Sequence, residues 1–204
     1  MTADLFTTGG LELLEIPDAE IFYAPRVDLG ADPDLILNEL IAQVPWRCEV
    51  INLWGKQYQQ PRLAAWFGDA GARYTYSGLS LEPLPWTDLL AGLRNRVEAL
   101  AEATFNSVLL NYYRDHRDSM GMHSDEEPEL GRNPIIASVS LGEQRTLVMK
   151  HKTNKTLKPV HLPLHSGSLL LMKGATQHHW KHGINKLAGP CGPRVNLTFR
   201  RIAL

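Results

Sequence analysis

From Phe105 to its C-terminus this 204-residue chain is cut into six short runs rich in apolar and alternating residues. They are Phe105–Tyr113, Ile135–Leu141, Arg145–His151, Leu157–Leu162, Ser168–Lys173 and Arg194–Ile202, with Gly, Pro and Asn between them. Runs this short, bounded by turn formers, predict strands. Upstream the pattern is helical. Pro33 to about Val44 places Leu35, Ile36, Leu40 and Ile41 at helical spacing behind Asp32, a candidate cap. A longer helix is expected from Trp86 to about Ala103. Helices first and strands afterwards predict an α+β, mainly β fold: a double-stranded β-helix (jelly roll) with N-terminal helices packed on one sheet. Residues 1–204 read as one domain, residues 1–50 being a lead-in and helix and residues 105–204 the jelly-roll core.

Within the strand-rich part, His123-Ser-Asp125 puts an imidazole and a carboxylate two residues apart, on one face of an extended segment. With a second histidine from a distant strand they make a facial triad, the ligand set of non-haem Fe(II) oxygenases. Gln-His-His-Trp-Lys-His at 177–182 supplies the candidates. His178 and His179 point oppositely in an extended chain, and composition leaves His179 and His182 both open. A second His-x-Asp, His116-Arg-Asp118, lies in a polar stretch expected to be a solvated loop. Downstream, Arg194-Val-Asn-Leu-Thr-Phe-Arg200 alternates polar and apolar side chains. Its arginines suit bidentate capture of a carboxylate cosubstrate. By itself the same run is an ordinary amphipathic strand with a solvated charged face.

Taken together, GDAGARYTYSGL, Asn111-Tyr-Tyr113, His123-Ser-Asp125, PIIASVSLG, LPLHSGSLLLM, HHWKH and PRVNLTFR resemble the AlkB family of Fe(II)- and 2-oxoglutarate-dependent nucleic-acid dioxygenases. The resemblance runs from about Val50 to Ile202 and is closest to the branch acting on duplex DNA. It implies His123, Asp125 and His182 as metal ligands, so that His182 rather than His179 is expected in the triad. It implies Asn111, Tyr113, Arg194, Thr198 and Arg200 as contacts of 2-oxoglutarate, with Arg200 on the distal carboxylate. Residues 50–105 then become a nucleotide-recognition region. Leu53-Trp54-Gly55 sits where that branch carries a hydrophobic finger, with Arg62 nearby, and a tryptophan replaces a smaller aromatic. Trp54 is equally readable as a core aromatic. Tyr74 and Tyr76 are expected to stack on a flipped base, and Glu126 and Glu127 to meet the positive edge of an alkylated one. The implied reaction is oxidative demethylation of 1-methyladenine and 3-methylcytosine in DNA, consuming O2 and releasing succinate, carbon dioxide and formaldehyde. A related hydroxylase of RNA, protein or a small molecule is the alternative.

Composition is compatible with this and narrows the setting. Net charge is −1, yet residues 144–204 hold eleven Lys/Arg and no acid, while all 22 acids lie before them. Arg145, Lys150, Lys152, Lys155 and Lys158 surround an expected hairpin and suit phosphates; neutralisation of one half by the other is the competing explanation. No apolar run approaches the ~20 residues of a membrane span. The N-terminus shows no secretory pattern. Cys48 and Cys191, outside any C-x-x-C, read as free thiols. A cytoplasmic monomer is expected.

Overall fold

The computed structural model describes residues 10–48, 50–53, 56–72, 74–76 and 79–203. Its strands are β1 (Glu12–Leu14), β2 (Glu20–Ala24), β3 (Val50–Leu53), β4 (Lys56–Gln59), β5 (Leu63–Gly68), β6 (Tyr74–Tyr76), β7 (Leu79–Leu81), β8 (Ser107–Tyr113), β9 (Met120–His123), β10 (Ile136–Gly142), β11 (Arg145–His151), β12 (Val160–Leu164), β13 (Ser168–Lys173), β14 (Trp180–Ile184) and β15 (Arg194–Arg200). Helices α1 (Pro33–Gln43) and α2 (Asp88–Ala101) precede the strand-rich part, and a single turn, α3 (Thr176–His179), interrupts it. Asp32 caps α1 as expected, accepting from Asp34 N, with Pro33 in the first turn, where its missing N–H costs nothing. Thr87 caps α2 by accepting from Leu90 N.

Two antiparallel sheets face each other. The larger has the order β1-β2-β13-β10-β15-β8-β5, the smaller β12-β11-β14-β9. Alternation along the central strands sorts the residues of the larger sheet. Val195, Leu197 and Phe199 of β15, Val108 and Leu110 of β8, and Ala137, Val139 and Leu141 of β10 join one buried cluster with Leu37 and Leu40 of α1 and Leu90, Leu93 and Val97 of α2. Each such side chain contributes about 1.5–3 kcal/mol when fully buried. Helices therefore cover one face, as the jelly-roll expectation required. The opposite face meets the small sheet through Ile21, Ile136, Leu170 and Met172 packed against Leu147, Met149, Leu164, Trp180 and Ile184. Residues 10–30 are more than a lead-in: β2 pairs with β13 and extends the large sheet. Leu157–Leu162 was expected to be a strand; β12 begins three residues later, at Val160.

All seven residues of β15 are buried. That excludes a solvated charged face for Arg194–Arg200. The polar side of this strand points between the sheets.

Candidate metal and cosubstrate site

His123 ends β9, Asp125 follows it in an irregular stretch, and His182 lies on β14, directly opposite His123 in the ladder. One ligand atom from each lies within 4.8 Å of the others. His123 Nε2 stands 3.8 Å from Asp125 Oδ1, and His182 Nε2 3.9 Å from Oδ2. These gaps are too long for hydrogen bonds. They suit donors about 2.0–2.2 Å from one shared ion, which stand roughly 3–4 Å apart. His123 Nδ1 lies 2.9 Å from Gly121 O. A carbonyl only accepts, so Nδ1 carries the proton and the Nε2 lone pair is left for a metal. Burial, reinforced by His123, pushes His182 down to about 3, so it is held as the neutral imidazole a metal requires. Burial alone would raise Asp125; the Arg200 guanidinium, together with His182 and His123, outweighs it and holds the carboxyl below its usual range. Gly183 lets β9 approach: a Cβ there would stand 2.8 Å from Met120 O, where the β14–β9 register shifts.

The triad opens into a cavity whose lining includes Asn111 and Tyr113 from β8, Ser138 from β10, and Arg194, Asn196, Thr198 and Arg200 from β15. The two arginines occupy different ends. Arg200 Nη2 donates to Asp125 Oδ1 at 2.8 Å, at the metal side. Arg194 is six residues away, about 20 Å along the strand. It donates from Nη2 to Ser140 Oγ at 2.9 Å and lies 5.0 Å from the Tyr113 ring centroid. Its Nε and Nη1 are buried with no hydrogen-bond partner among the described residues. A buried guanidinium with two idle donors is what a carboxylate needs. Arg200 was expected on the distal carboxylate; its Nη2 is bonded to Asp125 Oδ1 beside the triad, and Arg194 stands at the other end of the strand. The donor set fits Fe(II) and a 2-oxo diacid.

Other expected residues land unevenly. Arg62, assigned above to nucleic acid, is only 4% exposed and turned inward, its Nε donating to Asn111 Oδ1 at 2.7 Å. Trp54 and Gly55 lie outside the described residues. Leu53, Tyr74 and Tyr76 belong to short hairpins, β3–β4 and β6–β7. Glu126 pairs with Lys152 at 2.6 Å, while Glu127 has Oε2 buried without a partner among the described residues. Arg145, placed above among phosphate contacts, is 2% exposed and donates to the carbonyls of Asp118 and Asn185. Lys150, Lys155 and Lys158 are exposed. The polar stretch holding the second His-x-Asp is not simply solvated, because Asp118 is buried and accepts from Arg114 N, Nε and Nη2.

His179 joins a different group with Asp18 and His151. His151 Nδ1 accepts from Asn154 N at 2.9 Å, so Nε2 bears the proton and donates to Asp18 Oδ2 at 3.2 Å. Both nitrogens of this ring are used. It clamps the turn after β11 and leaves no lone pair for an ion. The sequence reading missed Gln177, 1% exposed, whose Oε1 accepts from Asp125 N at 2.9 Å. No spacing signal marked it. Ser138 and Ser140 were detectable as polar residues two apart in an apolar run.

Residues 31–200 match the 2OG-Fe(II) oxygenase superfamily. The chain is 45% identical over 179 residues to alpha-ketoglutarate-dependent dioxygenase alkB homolog 3 of Homo sapiens, covering 84% of this chain and 62% of that protein. It is 42% identical over 183 residues to DNA oxidative demethylase ALKBH2 of Homo sapiens, covering 85% and 70%. It thus spans less than two thirds of the homolog 3 relative's length. In fold it resembles the solved structure titled OsALKBH1, with a TM-score of 0.63 at 16% identity over 94% of this chain and 99% of that one. With its His-Asp-His cluster and buried arginine strand, the chain belongs to the AlkB family of 2-oxoglutarate- and Fe(II)-dependent dioxygenases.

Proposed function

We propose that the protein repairs DNA by oxidatively removing N-linked methyl groups, from 1-methyladenine and 3-methylcytosine above all. One observation carries this: the His-Asp-His cluster and the idle donors of Arg194 line one cavity. When bound, Fe(II) with 2-oxoglutarate and O2 supplies oxidation of the N-methyl carbon, leaving succinate, carbon dioxide and formaldehyde. His123, Asp125 and His182 would hold the metal from one side and leave the other open. Arg194, beside Tyr113, would fix the far carboxylate; Asn111 and Thr198 line the same wall. Arg200 keeps Asp125 ionised and oriented. Leu147, Leu164, Leu170, Met172 and Ile184 restrict water. Glu126 and Glu127, next to the triad, offer negative charge to a cationic base.

The substrate is duplex DNA, and the protein acts as a monomer in the cytoplasm. Exposed Lys150, Lys155 and Lys158 support a phosphate track. The Leu53-Trp54-Gly55 segment supports a wedge that holds a duplex open. Both cysteines are free, which fits a reducing compartment. The test is anaerobic loading with Fe(II) and 2-oxoglutarate, then O2 with duplex or single-stranded oligonucleotides carrying one 1-methyladenine. Loss of one methyl mass, matched by succinate and abolished by His123→Ala, is expected, faster on duplex. Succinate without demethylation refutes the DNA substrate. Faster turnover of the single strand refutes the duplex.

A further inference from the structure

Arg62 lies behind the cavity wall, against Asn111: we propose that it is a positioning residue that turns Asn111 so that a hydrogen-bond donor, not an acceptor, faces the bound diacid. The inference rests on the 2-oxoglutarate reading above. Arg62 follows Pro61 on the segment leading into β5, and Ala64 of that strand pairs with Asn111 of β8. Its guanidinium is buried, Nε lying 2.7 Å from Asn111 Oδ1 and Nη1 3.5 Å from Ser119 O. Ser119 N in turn donates to Pro61 O at 2.8 Å, so backbone contact on both sides fixes the arginine.

Amide oxygen and nitrogen are normally hard to tell apart, and the network decides between them. Here it decides firmly, because arginine has donors only. The atom facing Arg62 has to be the oxygen. Asn111 itself is 3% exposed and lines the cavity. Its Nδ2 has no acceptor among the described residues. With Oδ1 held by Arg62, Nδ2–H2 is the end left for a carboxylate oxygen. The opposite orientation would set an amine against a guanidinium and an oxygen against an anion. A hydrogen bond to an ionised partner is roughly twice as strong as a neutral one, so the orientation of this single amide matters for affinity.

The test measures 2-oxoglutarate affinity of the Mn(II)-loaded protein by calorimetry, for wild type, Arg62→Met, Asn111→Ala and the double variant. Arg62→Met is expected to weaken binding about tenfold or more. The double variant is expected to be no weaker than Asn111→Ala alone, because Arg62 acts through Asn111. Additive losses would overturn the proposal. So would Arg62→Met with wild-type affinity. A fall of about one unit in the salt slope of DNA binding for Arg62→Met would return Arg62 to a phosphate contact. Should Arg62→Met fail to fold, the wild-type protein decides. With Zn(II) as a diamagnetic metal, the Asn111 side-chain NH2 resonances, identified by their loss in Asn111→Ser, are expected to shift when 2-oxoglutarate is added. Unmoved resonances in a protein that binds 2-oxoglutarate overturn the assignment. A wild type that binds no 2-oxoglutarate overturns the proposed function instead.

Discussion

Replacing Gln177 by methionine tests how the metal face is held. Asp125 sits beyond the end of β9, so no sheet ladder satisfies its backbone N–H. Gln177 Oε1 does so, at 2.9 Å in a buried setting, while its Nε2 lies 3.4 Å from Met172 Sδ. Methionine keeps the length and volume and removes the acceptor. An abandoned buried N–H costs about 1–3 kcal/mol. The chain has two ways to bear that cost. If the loop stays, stability falls, by roughly 2–4 °C in Tm per kcal/mol for a chain of this size. If the loop shifts to reach water, Asp125 leaves its place between the two imidazoles. Lost support behind a ligand of this kind typically weakens metal binding about 10–100-fold. Calorimetric Mn(II) titration of metal-free protein, with thermal melts with and without Mn(II), separates the two. Gln177→Glu, which retains the acceptor, is expected to restore most of the affinity. Methionine at 177 with both Tm and Mn(II) affinity at wild-type level would refute the reasoning.

Arg194→Met is expected to lower 2-oxoglutarate affinity about 100-fold or more, with Mn(II) affinity unchanged, because it removes a buried charged partner. Wild-type affinity would return the distal carboxylate to Arg200. Asp118→Asn reports on pH. Burial raises Asp118, but the Arg114 side-chain and backbone donors outweigh it and its pKa is lowered. The pair therefore stabilises the fold fully above the ordinary aspartate value of about 4, and that contribution is lost as pH falls through the depressed folded value. Urea melts are expected to show wild type and Asp118→Asn separated at pH 7 and converging toward pH 2; a constant gap refutes it. Leu110→Ala, at a fully buried position, is expected to cost about 2–5 kcal/mol in the same melts. A loss below about 1 kcal/mol would mean that the helix-covered face repacks freely.

How much was legible depended on whether the signal was local. Alternation in Arg194–Arg200 identified both the strand and its split between core and cavity, because side-chain direction follows from position alone. Asp32 and Pro33 announced α1 for the same reason. His123 and Asp125 were visible through their spacing. What escaped was set by pairing. Which of Arg194 and Arg200 stands beside Asp125 depends on which end of β15 lies near the metal face, which the pattern of one strand does not contain. Arg62 was grouped with the nucleotide-recognition residues because its sequence neighbourhood does not reveal that β5 lies against β8. Gln177 holds Asp125 across 52 residues of sequence. The segment before α1 read as a lead-in because β1 and β2 are short and gain meaning only against β13.

The two halves of the site also differ in how they are built into the sheets. Its arginine and asparagine wall lies on β15, hydrogen-bonded along its length to β10 on one side and β8 on the other, under the helix-covered core. Its metal face includes β9, which among the described residues is an outermost strand with one neighbour, and the loop beyond it. Amide exchange ranks segments by the free energy needed to open them, and edges open long before centres. Deuterium should therefore enter 120–127 through small openings and reach 194–200 only on global unfolding. Metal could then leave and return through a local fluctuation while the wall that selects the diacid stays folded.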